Sequence, residues 1–130
     1  IRNIKFIKLE NEKKLLGVPY DFDSAGFVSP PYAKPNPNYG LESVKQRFFM
    51  GNFRNKQARQ KTIDHFNLKK ENIYQLVTDF KEMDKLTKIE IREYLDGFYK
   101  IINTPQLAKR AFPINGKKPE ISDMEGEMHF

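Results

Sequence analysis

A run of basic residues between Ser43 and Ile63 is the part of the sequence with the clearest chemical potential. It contains six basic residues and no acidic one: Lys45, Arg47, Arg54, Lys56, Arg59 and Lys61. On a helix, the spacing of seven residues between Arg47, Arg54 and Lys61 would place these cations near one face. Phenylalanines are interleaved with them, at positions 48, 49 and 53. A face of this composition suits phosphate groups, with aromatic rings available for stacking, or an acidic protein surface.

Three interpretations of this basic segment remain open. It binds RNA, it binds an acidic protein or anionic lipid surface, or it is a solvated face that only aids solubility. Neither an RNP aromatic pair nor a Gly-x-x-Gly loop accompanies it. We therefore predict that the six cations bind a partner, without choosing between RNA, lipid and protein.

Motifs that would support catalysis are missing from the sequence. There is no Gly-x-x-x-x-Gly-Lys-Ser/Thr loop, no Gly-x-Gly-x-x-Gly fingerprint, no Gly-x-Ser-x-Gly elbow and no His-Glu-x-x-His motif. The chain has no cysteine, and its two histidines, His65 and His129, are far apart in the sequence. These features argue against thiolate chemistry and against a histidine-rich metal site. We expect a protein that is not an enzyme, with no catalytic residue, metal or cofactor.

A second pattern covers residues 68–102, where apolar residues at helical spacing flank the string Phe80-Lys-Glu-Met-Asp-Lys-Leu-Thr-Lys-Ile-Glu-Ile-Arg-Glu-Tyr-Leu95. This pattern resembles an EF-hand, and the resemblance implies Asp84 at the first ligand position, Ile89 at the apolar loop position and Glu93 as the closing carboxylate. A calcium-binding loop has twelve residues, with a glycine at the sixth. The stretch from Asp84 to Glu93 has ten residues, two of them lysines, and no glycine. The sequence thus predicts a metal-free helix pair, either a degenerate EF-hand or an ordinary helical hairpin.

Length and composition limit the class of protein. The 130 residues suit a single domain, and 23 Lys+Arg against 17 Asp+Glu give a net charge of +6. No apolar run approaches the ~18 residues of a membrane-spanning helix, so we expect no transmembrane segment. The sequence begins at Ile1 rather than Met, so we expect a processed or trimmed chain. Removal of a targeting peptide is one way in which such a chain arises.

Proline and glycine divide the chain into three predicted parts. Residues 1–40 contain five of the eight prolines, and the stretch 29–40 cannot form an α-helix because each proline fixes φ and restricts the residue before it. We expect residues 1–40 to form an extended arm, with a short edge strand or an extended contact segment at Ile4–Leu9. Residues 105–130 are predicted as an extended tail. Five aromatic residues of the arm are predicted to bind a partner: Tyr20, Phe22, Phe27, Tyr32 and Tyr39.

Residues 41–104 lack proline and are predicted to form a small bundle of three to four helices. The apolar spacing indicates a first helix from Leu41 to Phe48, then helices over about 54–67, 70–83 and 88–103. Thr87 and Glu90 have the spacing of a capping box at the start of the last helix, and Pro105 marks its end. We expect Leu76, Phe80, Leu95 and Phe98 in the core.

The predicted fold is therefore mainly α: a small helical bundle with an extended N-terminal arm and an extended C-terminal tail. Aromatic arms on a basic chain are similar in style to supernumerary subunits of mitochondrial complexes. This similarity favours a structural accessory subunit of a mitochondrial respiratory complex or ATP synthase, with arms that clamp other protein subunits. The alternatives are an RNA-binding protein of a mitochondrial ribosome, acting through residues 45–61, and a ciliary microtubule-associated structural protein. The expected location is mitochondrial, or else ciliary or cytoplasmic.

Overall fold

The computed structural model describes residues 3–10, 13–22, 25–49 and 51–114. About half of these residues are helical, which confirms a mainly-α chain. The described residues form two compact units that divide between Gln46 and Arg47. Within them, a two-stranded sheet belongs to the N-terminal unit and three α-helices belong to the helical unit.

The N-terminal unit is built around an antiparallel hairpin of β1 (Ile4–Lys8) and β2 (Leu15–Pro19). Isoleucine, phenylalanine and valine favour strands, and a proline is tolerated because both strands are edges. The sequence indicated the first strand as one of two options. It did not indicate the second, because Gly17 and Pro19 are poor strand formers. The edge-strand option is therefore confirmed for the first strand, whereas the pairing with a second strand was not expected.

The proline-rich stretch 29–40 contains no α-helix but is not extended throughout. A short 3₁₀-helix covers Pro37–Tyr39, and the side-chain oxygen of Asn36 accepts from the backbone N–H of Asn38 at 3.0 Å. Gly40 ends this turn at φ 65°, a left-handed conformation that glycine adopts without a steric penalty. The prediction of an extended backbone is thus wrong at this turn.

The first predicted helix, Leu41 to Phe48, is absent, and this stretch is irregular. Local side-chain contacts replace it: the Gln46 side-chain oxygen accepts from the backbone N–H groups of Glu42 at 2.6 Å and Ser43 at 3.2 Å. The Ser43 hydroxyl in turn accepts from the Lys45 backbone N–H at 3.1 Å. Hydrogen bonds of this kind compete with helix formation.

The helical unit begins with α1 (Lys56–Asp79), a single helix where two were predicted. Its N-cap is Asn55, whose side-chain oxygen accepts from the Ala58 backbone N–H at 2.8 Å. No glycine or proline lies within α1, so the polar residues around position 68 do not interrupt it.

The second helix, α2 (Lys85–Asn103), starts earlier than predicted. Its N-cap is Asp84, which accepts from the Thr87 backbone N–H at 3.0 Å, so the predicted capping box from Thr87 to Glu90 is wrong. Aspartate precedes threonine in the chain and both are good caps, which explains the shift.

A third helix, α3 (Pro105–Ala111), follows at once. Pro105 does mark the end of α2, but it also occupies the first turn of α3, where the missing N–H of proline has no consequence. The expected extended tail is therefore wrong for these residues. Residues 115–130 of that tail, with His129, lie outside the described residues.

The core lies where the three helices meet. One cluster of buried residues consists of Ile63, Tyr74, Tyr99, Ile102 and Ala108, with Leu95, Phe98 and Phe112 partly buried against it. A second cluster consists of Ile101, Leu107 and Ala111. Leu95 and Phe98 thus pack at the core edge. The expectation for Leu76 and Phe80 is wrong, since they are 74 % and 52 % exposed. Because α1 is continuous and buries Tyr74, Leu76 lies about 200° around the helix from the buried side.

Candidate functional site

The hairpin of the N-terminal unit presents apolar side chains on both faces. In the observed register, Lys5 lies opposite Val18 and Phe6 lies opposite Gly17, so alternate residues project to opposite sides. One face carries Ile4, Phe6 and Leu15, and the other carries Ile7, Leu16 and Val18. All six side chains are exposed. A sheet with one buried face would alternate apolar and polar residues, so this hairpin has two faces suited to burial.

Phe6 is the largest apolar side chain on the hairpin and is 63 % exposed. It lies beside Gly17, where an added Cβ would come within 3.7 Å of the Phe6 ring. Because glycine has no side chain, position 17 does not cover the Phe6 ring, and most of the ring stays exposed.

Hydrogen bonds fix the open end of the hairpin. The Tyr20 backbone N–H donates to the Asn3 carbonyl at 3.0 Å, and the Asn3 side-chain amide donates to the Asp21 carbonyl at 3.1 Å. Asn3 and Asp21 both have positive φ, a conformation that asparagine and aspartate tolerate better than most residues. The Lys5 amine lies 5.0 Å from the centroid of the Tyr20 ring.

The arm aromatics predicted to bind a partner all fall in the N-terminal unit. Four of them are exposed, and the fifth, Tyr39, is half-buried in the short 3₁₀-helix. The exposed four are Tyr20, Phe22, Phe27 and Tyr32. Their exposure is compatible with docking, and their role stays a prediction.

The six cations of the basic segment do not share one helical face. The helix begins only at Lys56, so the predicted alignment of Arg47, Arg54 and Lys61 is wrong. Lys45 belongs to the N-terminal unit, whereas Arg47 starts the helical unit. The prediction of one shared face assumed a helix from residue 47 to residue 61, whereas the residues before Lys56 are irregular.

Arg47 is held inside the helical unit. Its guanidinium lies over the Tyr94 ring, 3.8 Å from the centroid, and donates a hydrogen bond to the Tyr94 carbonyl. The same group faces Gly97, where an added Cβ would lie 3.4 Å from the Arg47 Nη1 atom. Burial lowers the pKa of Arg47, while the neighbouring Tyr94 raises it. Arginine nevertheless stays protonated in proteins, so this is a packed cation.

Three other members of the segment meet at a pocket of about 710 Å³ where α1 begins. Its lining includes Arg54, Lys56 and Arg59, together with Lys109 from α3. Lys109 follows Pro105 by four residues, so both lie on the pocket side of α3. Sequence reasoning missed Lys109, although the helical signal of Pro105 at a first turn was available.

Backbone contacts hold the walls of this pocket together. Phe53 and Ile114 pair as an isolated parallel bridge, and Arg59 Nη1 donates to the Phe112 carbonyl at 3.1 Å. The Phe49 ring stacks on the Phe53 ring with centroids 5.1 Å apart and meets the Phe112 ring edge-on at 5.2 Å. The stretch after α3 is thereby fixed beside the start of α1.

Asp84 and Glu93, the carboxylates of the EF-hand resemblance, have separate surroundings. Asp84 caps α2 and accepts a second hydrogen bond from the Thr87 hydroxyl at 2.6 Å, whereas Glu93 lies within α2. The turn between the helices is confined to residues 80–84, and the relationship to EF-hands stays a prediction. Among the described residues, no group of three or more histidine, aspartate or glutamate side chains is placed to hold a metal ion.

Four exposed apolar residues flank this turn: Leu76, Phe80, Leu86 and Ile89. Exposed leucines occur singly on most proteins, but a group at one end of a helical hairpin is less common. Exposed apolar side chains thus lie on both helices beside this turn.

A tyrosine–aspartate pair that the sequence did not indicate joins α1 to α2. The Tyr74 hydroxyl donates to the Asp96 carboxylate at 2.5 Å. Burial, and then the hydrogen bond to Asp96, raise the pKa of Tyr74. The Tyr99 hydroxyl donates to the Phe66 carbonyl at 3.1 Å, so the second core tyrosine is also satisfied. Lys70 lies within 5.5 Å of both tyrosine ring centroids. Both tyrosines belong to the core that joins α1 and α2.

Comparison of the chain with protein-family models, with curated proteins and with solved structures finds no match. In the part of the chain that the structure describes, none of the helices combines the length and the apolar composition needed to cross a membrane.

Proposed function

We propose that this chain is a non-enzymatic accessory subunit of a large multiprotein assembly and that its N-terminal unit docks on neighbouring protein subunits. One observation carries the proposal. None of the described residues of this unit, 3–10, 13–22 and 25–46, is buried, although many of them are apolar. A segment without a core of its own is stabilised most simply by the surface of another chain.

Simple energetics support this inference. A two-stranded hairpin is marginal in water unless a third strand or a helix covers it. Phe6 exposes 63 % of its surface, or roughly 130 Å² of a side chain of about 200 Å². At ~25 cal/mol per Å², covering this ring alone is worth about 3 kcal/mol. The face of Phe6 carries two further apolar residues and the other face carries three, so burial against a partner stabilises the hairpin substantially.

The hairpin also indicates the chemistry of its partner. Residues 3–20 carry four lysines and two glutamates, which favours an acidic protein surface. Both strands are edges, so a strand of another protein could pair with their outer N–H and C=O groups. A protein that offers a strand edge and apolar pockets fits these demands better than a lipid surface.

The proposed assembly is mitochondrial, either a respiratory complex or the ATP synthase. The net charge of +6 and the aromatic, proline-rich N-terminal segment support this choice. A ciliary microtubule-associated protein would use the same docking chemistry and is the rival. The RNA-binding alternative has less support, because the six cations do not share one helical face and Arg47 is packed over the Tyr94 ring.

The test is sedimentation of the tagged chain extracted from its native cells, with partners identified by mass spectrometry. The variant Phe6→Ala/Leu16→Ala removes one apolar side chain from each hairpin face. Leu68→Ala is the matched control, since Leu68 is 73 % exposed but lies on α1. We expect wild type and control to sediment with respiratory or ATP-synthase subunits, and the hairpin variant to sediment as a free chain.

Other outcomes distinguish the alternatives. Mitochondrial ribosomal RNA in the same fraction would select the RNA-binding function, and tubulin would select the ciliary one. A wild-type chain that sediments alone, or a hairpin variant that sediments with the same partners as wild type, would contradict the docking proposal.

A further inference from the structure

The basic pocket at the start of α1 has features that docking through the N-terminal unit does not require. Four cations line it: Arg54, Lys56, Arg59 and Lys109. No acidic side chain belongs to the described lining, and the first turn of α1 contains none either. These four residues carry like charges beside one open pocket, and an anion bound there would offset their mutual repulsion.

The rest of the lining is largely apolar. Pro105, Pro113 and Ile114 form part of the wall, and the volume of about 710 Å³ lies within the range of small-molecule sites. A bare inorganic anion would leave most of this volume and the apolar wall unused. The pocket thus suits a ligand with a strongly anionic end and an apolar, ring-sized body.

The number and type of the cations indicate the anionic group. One carboxylate would neutralise only one of four charges, whereas a diphosphate or triphosphate carries two or more negative charges close together. The planar guanidinium of arginine matches two phosphate oxygens at once, and lysine binds phosphate as a point charge. Arg59 is already oriented by its bond to the Phe112 carbonyl, so it is ordered before a ligand arrives.

We propose that this pocket binds a small phosphorylated ligand of the nucleoside di- or triphosphate class, with the phosphates on Arg54, Lys56, Arg59 and Lys109 and the ring system against the proline and isoleucine wall. This inference does not rest on the docking function. It concerns a different unit of the chain and is tested on the isolated protein.

The experiment is calorimetric titration of the complete chain with three probes: ADP, inorganic phosphate and adenosine. We expect ADP to bind with a dissociation constant in the micromolar range. Inorganic phosphate should bind at least about tenfold more weakly because it leaves the apolar wall empty. Adenosine should show no measurable binding because it lacks the charges.

Single substitutions then locate the site. Arg54→Gln and Lys109→Gln, on two different walls, should each weaken ADP binding by about tenfold or more. Lys61→Gln removes the same charge from an exposed position of α1 outside the pocket, and it should leave ADP affinity within about twofold of wild type. Circular dichroism of each variant serves as the control that the variant is folded.

Three results would overturn the proposal. The first is no binding of ADP at millimolar concentration. The second is equal weakening by Lys61→Gln and Arg54→Gln, which would mean that net charge alone attracts the ligand. The third is ADP binding that neither Arg54→Gln nor Lys109→Gln changes.

Discussion

Replacing Arg47 with methionine separates a packed arginine from one that is free to bind a partner. Methionine keeps much of the length of the side chain but removes the guanidinium from its place over the Tyr94 ring at 3.8 Å and from its hydrogen bond to the Tyr94 carbonyl. A cation–π contact is worth ~0.5–2 kcal/mol, and a hydrogen bond from a charged group ~1.5–3 kcal/mol. Because the side chain is only half-buried, we expect the lower part of the combined range, about 2–3 kcal/mol of lost unfolding free energy.

The measurement is urea unfolding of the helical unit within the complete chain, followed by far-UV circular dichroism. For a unit of this size, a loss of 1 kcal/mol lowers Tm by roughly 4–8 °C, so thermal unfolding should show a Tm drop of roughly 8–24 °C. Lys61→Met is the matched control, since it removes one charge from an exposed position of α1. We expect this control within about 0.5 kcal/mol of wild type. Equal stabilities for Arg47→Met and Lys61→Met would refute the packed role of Arg47.

Three further predictions concern the helical unit. Tyr74→Phe removes the hydrogen bond to Asp96, and urea unfolding at neutral pH should show a loss of ~1.5–3 kcal/mol. Burial and Asp96 raise the pKa of Tyr74, so the stabilisation that Tyr74 provides should be fully present below pH ~10 and be lost as the pH rises above it. The free energy of unfolding should therefore fall less at high pH in Tyr74→Phe than in wild type, and an equal fall would contradict this. Gly97→Ala should raise Tm, since alanine is favoured by ~1 kcal/mol inside a helix and the new methyl group would sit 3.4 Å from the Arg47 Nη1 atom, an ordinary van der Waals contact. A lowered Tm would mean that there is no room for the methyl group beside Arg47. Asp84→Ala should lower Tm at neutral pH through loss of the α2 cap, whereas Asp84→Asn should not. The hydrogen bonds from Thr87 lower the pKa of Asp84, so the melting curves of Asp84→Ala and wild type should converge as the pH falls through that pKa, and a constant difference would contradict this.

The helices of this chain were predictable where apolar spacing and turn chemistry agree. The stripe from Ile91 to Ile102 indicated α2, and the helix does bury Ile91, Tyr99, Ile101 and Ile102. The prediction was wrong where local contacts decide the structure. The hydrogen bonds of the Gln46 side chain, for example, replace the first predicted helix. The prediction that Leu76 is buried was wrong for another reason. Periodicity identifies the apolar stripe of a helix, but it does not show on which side a neighbouring helix packs.

The candidate surfaces were predictable only as residue types. The charge count marked residues 45–61, and three of its cations do line one pocket. Arg47 could not be separated from them, because its contact with Tyr94 joins residues 47 positions apart. The second strand of the hairpin was hidden by Gly17, whose place beside the Phe6 ring appears only once the register is known.

Deletion of residues 1–46 tests the docking claim most directly, because it removes the N-terminal unit as a whole. We expect the chain from Arg47 onwards to keep the helical circular dichroism and the cooperative melting of the helical unit. In native cells this truncated chain should no longer sediment with the assembly that the complete chain joins. Normal incorporation of the truncated chain would contradict the account, since the N-terminal unit would then be dispensable for docking. A loss of helicity would contradict it as well, because the removed residues would then belong to the core of the protein itself.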